Sequence, residues 1–199
     1  LLKTIEEPPV YAIIILLTEN CDSLLPTIRS RCVTLTMNPV EKDKICTYLE
    51  NKFQLEPEQA QIAANYCQGN IGKAIRFASS SDFIEMKNQV LKLLKNLDSM
   101  DIASIIDTIK EFSTHKNDIN DYLDLMLLWY RDVLMFKVTK DANLLLYSDE
   151  YSAISEQATK RDYENIENII AAIDKAKVRL KANVNFDVTI ELMILAMKD

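Results

Sequence analysis

Two arginines stand one residue apart in the segment Thr27-Ile28-Arg29-Ser30-Arg31-Cys32. The segment follows an apolar run from Ala12 to Leu17, a polar break at Thr18-Glu19-Asn20 and a short helix-like stretch. An arginine placed just before a new strand is a poor core residue. It is well suited to holding a permanent planar cation at the rim of a rigid element, where its donor fork matches phosphate oxygens. The chemistry this supports is charge stabilisation in phosphoryl transfer, with Arg31 presented outward and Arg29 orienting the loop or making a surface pair. The plainer alternative is an ordinary surface ion pair of Arg31 with Asp22 or Glu19.

A second candidate is Gly69-Asn70-Ile71-Gly72-Lys73-Ala74, which holds both glycines of the chain. Gly69 suits the end of one helix and the opening of the next. Gly72, inside a helix, costs about 1 kcal/mol relative to alanine. Thr18, at the tip of an apolar run, reads as a turn-former, with a phosphate-sensing role as the alternative. His115 is the only histidine; it falls among Thr114, Lys116 and Asn117 and reads as a solvated helix end without a general-base role.

Cys21, Cys32, Cys46 and Cys67 are widely spaced and form no Cys-x-x-Cys pair, so no zinc site is expected. They read as free thiols of a reducing cytoplasm, and Cys32 as a small buried residue rather than a nucleophile. The compact basic run from Lys175 to Lys181 reads as a solvated helix face that complements the helix dipole, with DNA phosphates or an acidic neighbour as the alternative. Trp129 and the aromatics around it lack basic interleaving and read as core, not as a base-stacking platform.

The elements that must position these residues follow from composition and periodicity. A chain of 199 residues with 48% hydrophobic and 27% charged residues is globular in composition and suits one or two domains. A net charge of −7 argues against a dedicated DNA-binding module. No apolar run is long enough to span a bilayer, and no signal peptide is visible. The chain opens on Leu-Leu-Lys-Thr-Ile-Glu-Glu-Pro-Pro without an initiator methionine, which reads as a helix end in a fragment of a longer protein.

Tyr11 to Leu17 reads as a buried strand, Cys21 to Ser30 as a helix and Cys32 to Thr36 as a second strand. Two such strands cannot make a sheet alone, so residues before Leu1 are expected to supply the rest. From Asn38 onward the pattern is helical. Asn38, Pro39 and Glu41 read as an N-cap, a first-turn proline and a capping acid. Helices are expected over about 39–53, 57–68 and 70–79, and another begins at the Asp82 and Glu85 pair. Ile102, Ile105, Ile106 and Ile109 keep the spacing of one helix face, as do Ile166, Ile169, Ile170 and Ile173. Leu123 to Val138 reads as a central helix, and Phe186, Ile190, Met193 and Met197 mark a last amphipathic one. The expected class is mainly α: an α/β remnant over 1–37, a three-helix unit over 38–80, and a bundle of five or so helices over 81–199.

With these residues in place the chain resembles the clamp-loader subunits of the AAA+ class that serve bacterial DNA polymerase III. Leu1 to Pro9 is similar to the helix after the second nucleotide-binding motif, and Ile13 to Asn20 to the sensor-1 strand with Thr18 at its tip. Leu24 to Cys32 resembles the Ser-Arg-Cys segment of the family. Gly69 to Ala74 stands where the family carries sensor 2, and Trp129-Tyr130-Arg131-Asp132 and Asn183-Val184-Asn185-Phe186 resemble pieces of its collar. Motor subunits carry an arginine at the fourth position of Gly-x-x-Arg-x-Ala; Gly72 stands there instead. Lys73, one step round the helix, is turned by roughly 100° and replaces it poorly.

The resemblance implies a mainly α chain made of an AAA+ remnant, a three-helix lid and a collar bundle. It implies a non-hydrolysing stator, with Arg31 as an arginine finger supplied in trans to ATP-Mg on a neighbouring subunit and no cofactor or metal of its own. The implied partners are gamma/tau and delta subunits, met through the collar and the AAA+ edge, and the sliding clamp and primed DNA through the complex, with no membrane. Independent catalysis is left open; the assembly as a whole serves a DNA-directed DNA polymerase. Two alternatives stand beside this reading: a gamma/tau-type ATPase motor of the same family, and an unrelated helical interaction or DNA-binding protein.

Overall fold

A computed structural model of the chain describes residues 2–18, 20–79 and 82–198. The chain divides into two compact units, residues 1–39 and 40–199. No helix among the described residues is long and apolar enough to cross a membrane.

The first unit holds two short helices, α1 (Leu2–Glu6) and α2 (Pro26–Arg29). α1 stops before Pro8-Pro9, as the proline pair requires. The expected helix from Cys21 to Ser30 is divided. Cys21–Ser23 is a 3₁₀ turn capped by Asn20, whose Oδ1 accepts from the Asp22 N–H at 2.8 Å. Leu25 is extended, and Pro26 opens α2 at its first position, where a missing N–H is harmless.

The two expected strands do not form. Residues 12–18 and 33–39 carry no strand pairing, and Ile13 and Val33 are each 90% exposed. A strand exists only through hydrogen bonds to a neighbour, and these runs do not ladder with each other or with any other described residue. The mainly α class stands; the sheet remnant within it is absent from the described residues.

The second unit is helical throughout. α3 (Lys42–Phe53), α4 (Pro57–Tyr66) and α5 (Ile71–Ser79) pack on one another. α3 begins at Lys42 behind Glu41, without a side-chain cap, so the expected Asn38-Pro39-Glu41 start is displaced by a turn. Val40 is held out of the helix because its N–H donates to the Gly69 carbonyl at 3.0 Å. α4 ends where Gln68 (φ 52°) and Gly69 (φ 81°) turn left-handed.

Beyond them come α6 (Asp82–Asn96), α7 (Ile102–Ser113), α8 (Ile119–Thr139), α9 (Tyr151–Lys160), α10 (Tyr163–Lys181) and α11 (Phe186–Lys198). α8 is the axis. It packs against α6, α9 and α10, and α11 lies against α7 and α10. Trp129, Tyr130, Tyr122, Leu123, Leu125 and Met126 of α8 are wholly buried. α9 carries only Ile154 and Ala158 as buried residues, too sparse an apolar pattern to be read as a helix in advance.

With no glycine after Gly72, α8 and α10 stop on other left-handed residues, Lys140 and Asn183. Asn183 (φ 56°) ends α10 in a Schellman arrangement. The Val184 N–H reaches the Arg179 carbonyl and the Asn183 N–H the Leu180 carbonyl, both at 3.0 Å. Asn185 then opens α11, its Oδ1 accepting from the Val188 N–H at 3.1 Å. Asn183-Val184-Asn185-Phe186 is thus a stop and a start fused into one tight corner. Asp101 and Asp162 cap α7 and α10 in the same way, on Ser104 and Asn165.

Candidate functional site

Arg31 stands two residues past the end of α2, its side chain 39% exposed. Its Nη2 lies 3.0 Å from Glu6 Oε1, and its Nη1 donates to the Thr27 carbonyl at 2.8 Å. The backbone around it is a run of tight turns: the Arg31 N–H donates to the Ile28 carbonyl and the Cys32 N–H to the Arg29 carbonyl. Ile28 is buried and anchors α2, so the turn that carries Arg31 has a fixed root and an open tip. Arg29 pairs with Asp22 at 2.8 Å. Arg29 thus binds its own loop. Arg31 takes Glu6 and not Asp22 as its anion; Glu19 lies outside the described residues.

Thr18 is engaged locally. Its hydroxyl donates to the Asn20 carbonyl at 2.9 Å and accepts from the Asn20 N–H at 3.2 Å, which is turn formation. Cys32 is exposed, against the expectation of a buried residue. His115 is half-buried, not fully solvated, with its ring 5.9 Å from that of Tyr122.

The Gly69 to Ala74 motif opens α5. Asn70 Oδ1 accepts from the Lys73 N–H at 3.0 Å, and the Asn70 carbonyl from the Ala74 N–H at 2.9 Å. Gly72 is exposed in the first turn, and a Cβ there would meet Asn70 Oδ1 at 3.3 Å. Lys73 leaves this turn for α8. Its ammonium lies 3.0 Å from Asp121 and is hydrogen-bonded to Asp124. Arg76 meets Asp121 at 2.9 Å, and Lys177 of α10 bonds Asp124 from the other side.

Burial alone would lower the Lys73 pKa, but its bonds to Asp124 and Asp121 outweigh that and hold it above the usual lysine value. Burial would likewise raise Asp124, and Lys177 and Lys73 overcome it, holding the carboxyl below its usual range. Lys177 therefore points into the bundle, which corrects the reading of the 175–181 run at this residue, while Lys175 and Lys181 are exposed. The sequence carried one signal of this cluster: Asp118, Asp121 and Asp124 recur every third residue, from the residue before α8 into its first two turns.

A family model described as "DNA polymerase III, delta subunit" matches residues 1–41, which include the Ser-Arg-Cys segment. Across all of its length the chain is 31% identical to DNA polymerase III subunit delta' of Bacillus subtilis, over 202 aligned residues. The chain belongs to the DNA polymerase III clamp-loader subunits, and to their delta prime type.

Related subunits of other names align at lower identity. A tau subunit of Bacillus subtilis is 25% identical over 69% of this chain and 28% of its own length. A gamma subunit of Buchnera aphidicola is 22% identical over 98% of this chain. The chain spans 60% of the delta' and gamma relatives.

Within this clamp-loader chain Trp129-Tyr130-Arg131-Asp132 is a folding anchor. Asp132 is fully buried and accepts from the Leu146 and Tyr147 N–H groups at 2.7 and 2.8 Å. Trp129 Nε1 donates to Gln157, which in turn donates to the Leu94 carbonyl at 2.9 Å. Arg161, also buried, joins Asp98, Asn165 and the Met197 carbonyl, and sequence reasoning missed it.

Proposed function

We propose that this chain is a non-hydrolysing clamp-loader subunit of the replicative DNA polymerase III assembly, supplying Arg31 in trans to the triphosphate of ATP-Mg held by a gamma/tau-type neighbour. Residues 1–37 act as the edge of the AAA+ domain, 38–80 as the lid and 81–199 as the collar through which gamma/tau and delta subunits are met. The sliding clamp and primed DNA are reached through that complex in the cytoplasm. The chain holds no nucleotide or metal of its own in this reading, and Thr18 serves the turn beneath the finger.

The observation that carries the reading is the relationship at 31% identity to a delta' subunit along the whole chain. The state of Arg31 supports its role. It is half-exposed, and among the described residues its anionic partner is a carboxylate that is itself 44% exposed. Such a surface pair is worth about 0–1 kcal/mol, so the guanidinium can leave it for a phosphate at little cost. Lys73 supports the absence of hydrolysis: it is spent on two aspartates and does not stand in for the cation that Gly72 lacks.

The test is Arg31→Ala in the intact protein, with the reconstituted loader assayed for ATP turnover and for assembly. Turnover falls by at least tenfold, and assembly is unchanged, given that fingers of this kind contribute about 10³–10⁵ in rate. Unchanged turnover refutes the finger.

A further inference from the structure

α5 meets the bundle through two contacts of different kinds. One is aromatic: Phe77 of α5 stacks on Phe83 of α6 with centroids 4.3 Å apart, and Phe83 in turn meets Tyr66 of α4 at 5.6 Å. Stacked rings hold two elements together but allow them to slide and rotate, because the attraction has little direction. The other contact is ionic and directional. Lys73 and Arg76 of α5 reach Asp121 and Asp124 of α8, Lys177 of α10 completes the set, and Asp118 lies 3.9 Å from Arg76. Among the described residues these pairs set three cations, Lys73, Arg76 and Lys177, against three carboxylates, Asp118, Asp121 and Asp124. Asp121 is 6% exposed and the Lys73 side chain 24%, which leaves water little access to the centre.

A buried ionic cluster adds little net stability over an apolar contact of the same shape, since removing its charges from water costs about what their attraction returns. What it does supply is geometry. Each donor and acceptor is satisfied at one relative position of the helices, and any rotation of α5 strands a charge.

We infer that Lys73, Arg76, Asp121, Asp124 and Lys177 form an orientation lock that fixes the helix bearing the Gly69 to Ala74 motif at one angle to α8 and α10. Lys73 is the positioning residue at its centre. With the lock closed, α5 turns only when the bundle turns. A displacement of the bundle by a partner is passed to the motif, and a change at the motif is passed back.

The lock is tested by amide hydrogen exchange of the intact protein. In Lys73→Met the amides of residues 71–79 exchange faster by roughly tenfold or more, while those of α10 and α11 keep their rates. Lys73→Arg, which retains the charge, keeps α5 slow, and the milder Asp124→Asn quickens it in part. The deciding variant combines Lys73→Met with Asp124→Asn and Lys177→Met, which leaves Arg76 on Asp121 and strands no charge. If geometry is what the cluster provides, α5 remains fast in this triple variant. A return to the original rates would mean that Lys73→Met had only stranded a carboxylate, and would overturn the lock. Equal acceleration across α5 to α11, or no change in α5, would overturn it as well.

Discussion

The guanidinium of Arg31 and the carboxylate of Glu6 lie 3.0 Å apart, tying the turn after α2 to α1. If Arg31 serves a neighbour's triphosphate it must leave Glu6, and the pair is then a resting position. Glu6→Gln removes the competing charge and keeps the shape. ATP turnover of the assembled loader is expected to hold or rise, up to about threefold for a surface pair of this class, and the assay for Arg31→Ala measures it. A tenfold loss would mean that Glu6 positions the finger and does not compete for it.

Asp132 holds the connection between α8 and α9 by accepting from two backbone N–H groups, those of Leu146 and Tyr147. Asp132→Ala leaves both donors inside the protein without partners. The loss of stability is about 3 kcal/mol, read as a lower urea midpoint with an unchanged slope.

Arg161 joins three parts of the bundle: Asp98 after α6, Asn165 in α10 and the carbonyl of Met197 in α11. Arg161→Met keeps the stem and removes the fork. Since Lys160 still faces Asp98, the cost is about 2 kcal/mol and falls mainly on α11, whose amides lose protection first in hydrogen exchange.

Asp98 also predicts an acid response. Its hydrogen bond to Lys160, with Arg161 beside it, holds the carboxyl below its usual value of 3.8. A depressed acid stabilises the fold fully above the unfolded value and loses that contribution as pH falls through the folded one. The stability difference between the native protein and Asp98→Asn is therefore constant near neutrality and shrinks below about pH 4. Urea titrations of both proteins between pH 3 and 7 measure it, and a difference that grows with acidity would reverse the assignment.

The thiols separate by environment. Cys32 is exposed, whereas Cys67 is buried and burial pushes its pKa up. A thiol reagent at neutral pH modifies Cys32 in the native state and Cys67 only after denaturant is added, as mass spectrometry of the digested protein would record.

The sequence by itself determined most of the described helices after residue 40, because apolar spacing and capping residues are local. The isoleucine face of α10, Pro57 at the start of α4, and the end of α1 before Pro8-Pro9 all lie where short-range chemistry puts them, whereas on α7 Ile105 and Ile109 are buried and Ile102 and Ile106 exposed. It also carried the Arg29 and Arg31 pair, but not that Glu6 is the carboxylate Arg31 meets. α9 escaped because two buried residues make no readable face.

Only the tertiary structure decided what depends on distant partners. The runs at 12–18 and 33–39 have strand composition but no ladder partner among the described residues, so composition alone did not make them strands. Lys73 and Lys177 meet one aspartate across 51 and 53 residues of chain, a pairing that no local pattern encodes. Helix propensity acts within a few residues, whereas a ladder or an ion pair needs a second segment brought to it, and only packing says which segment arrives.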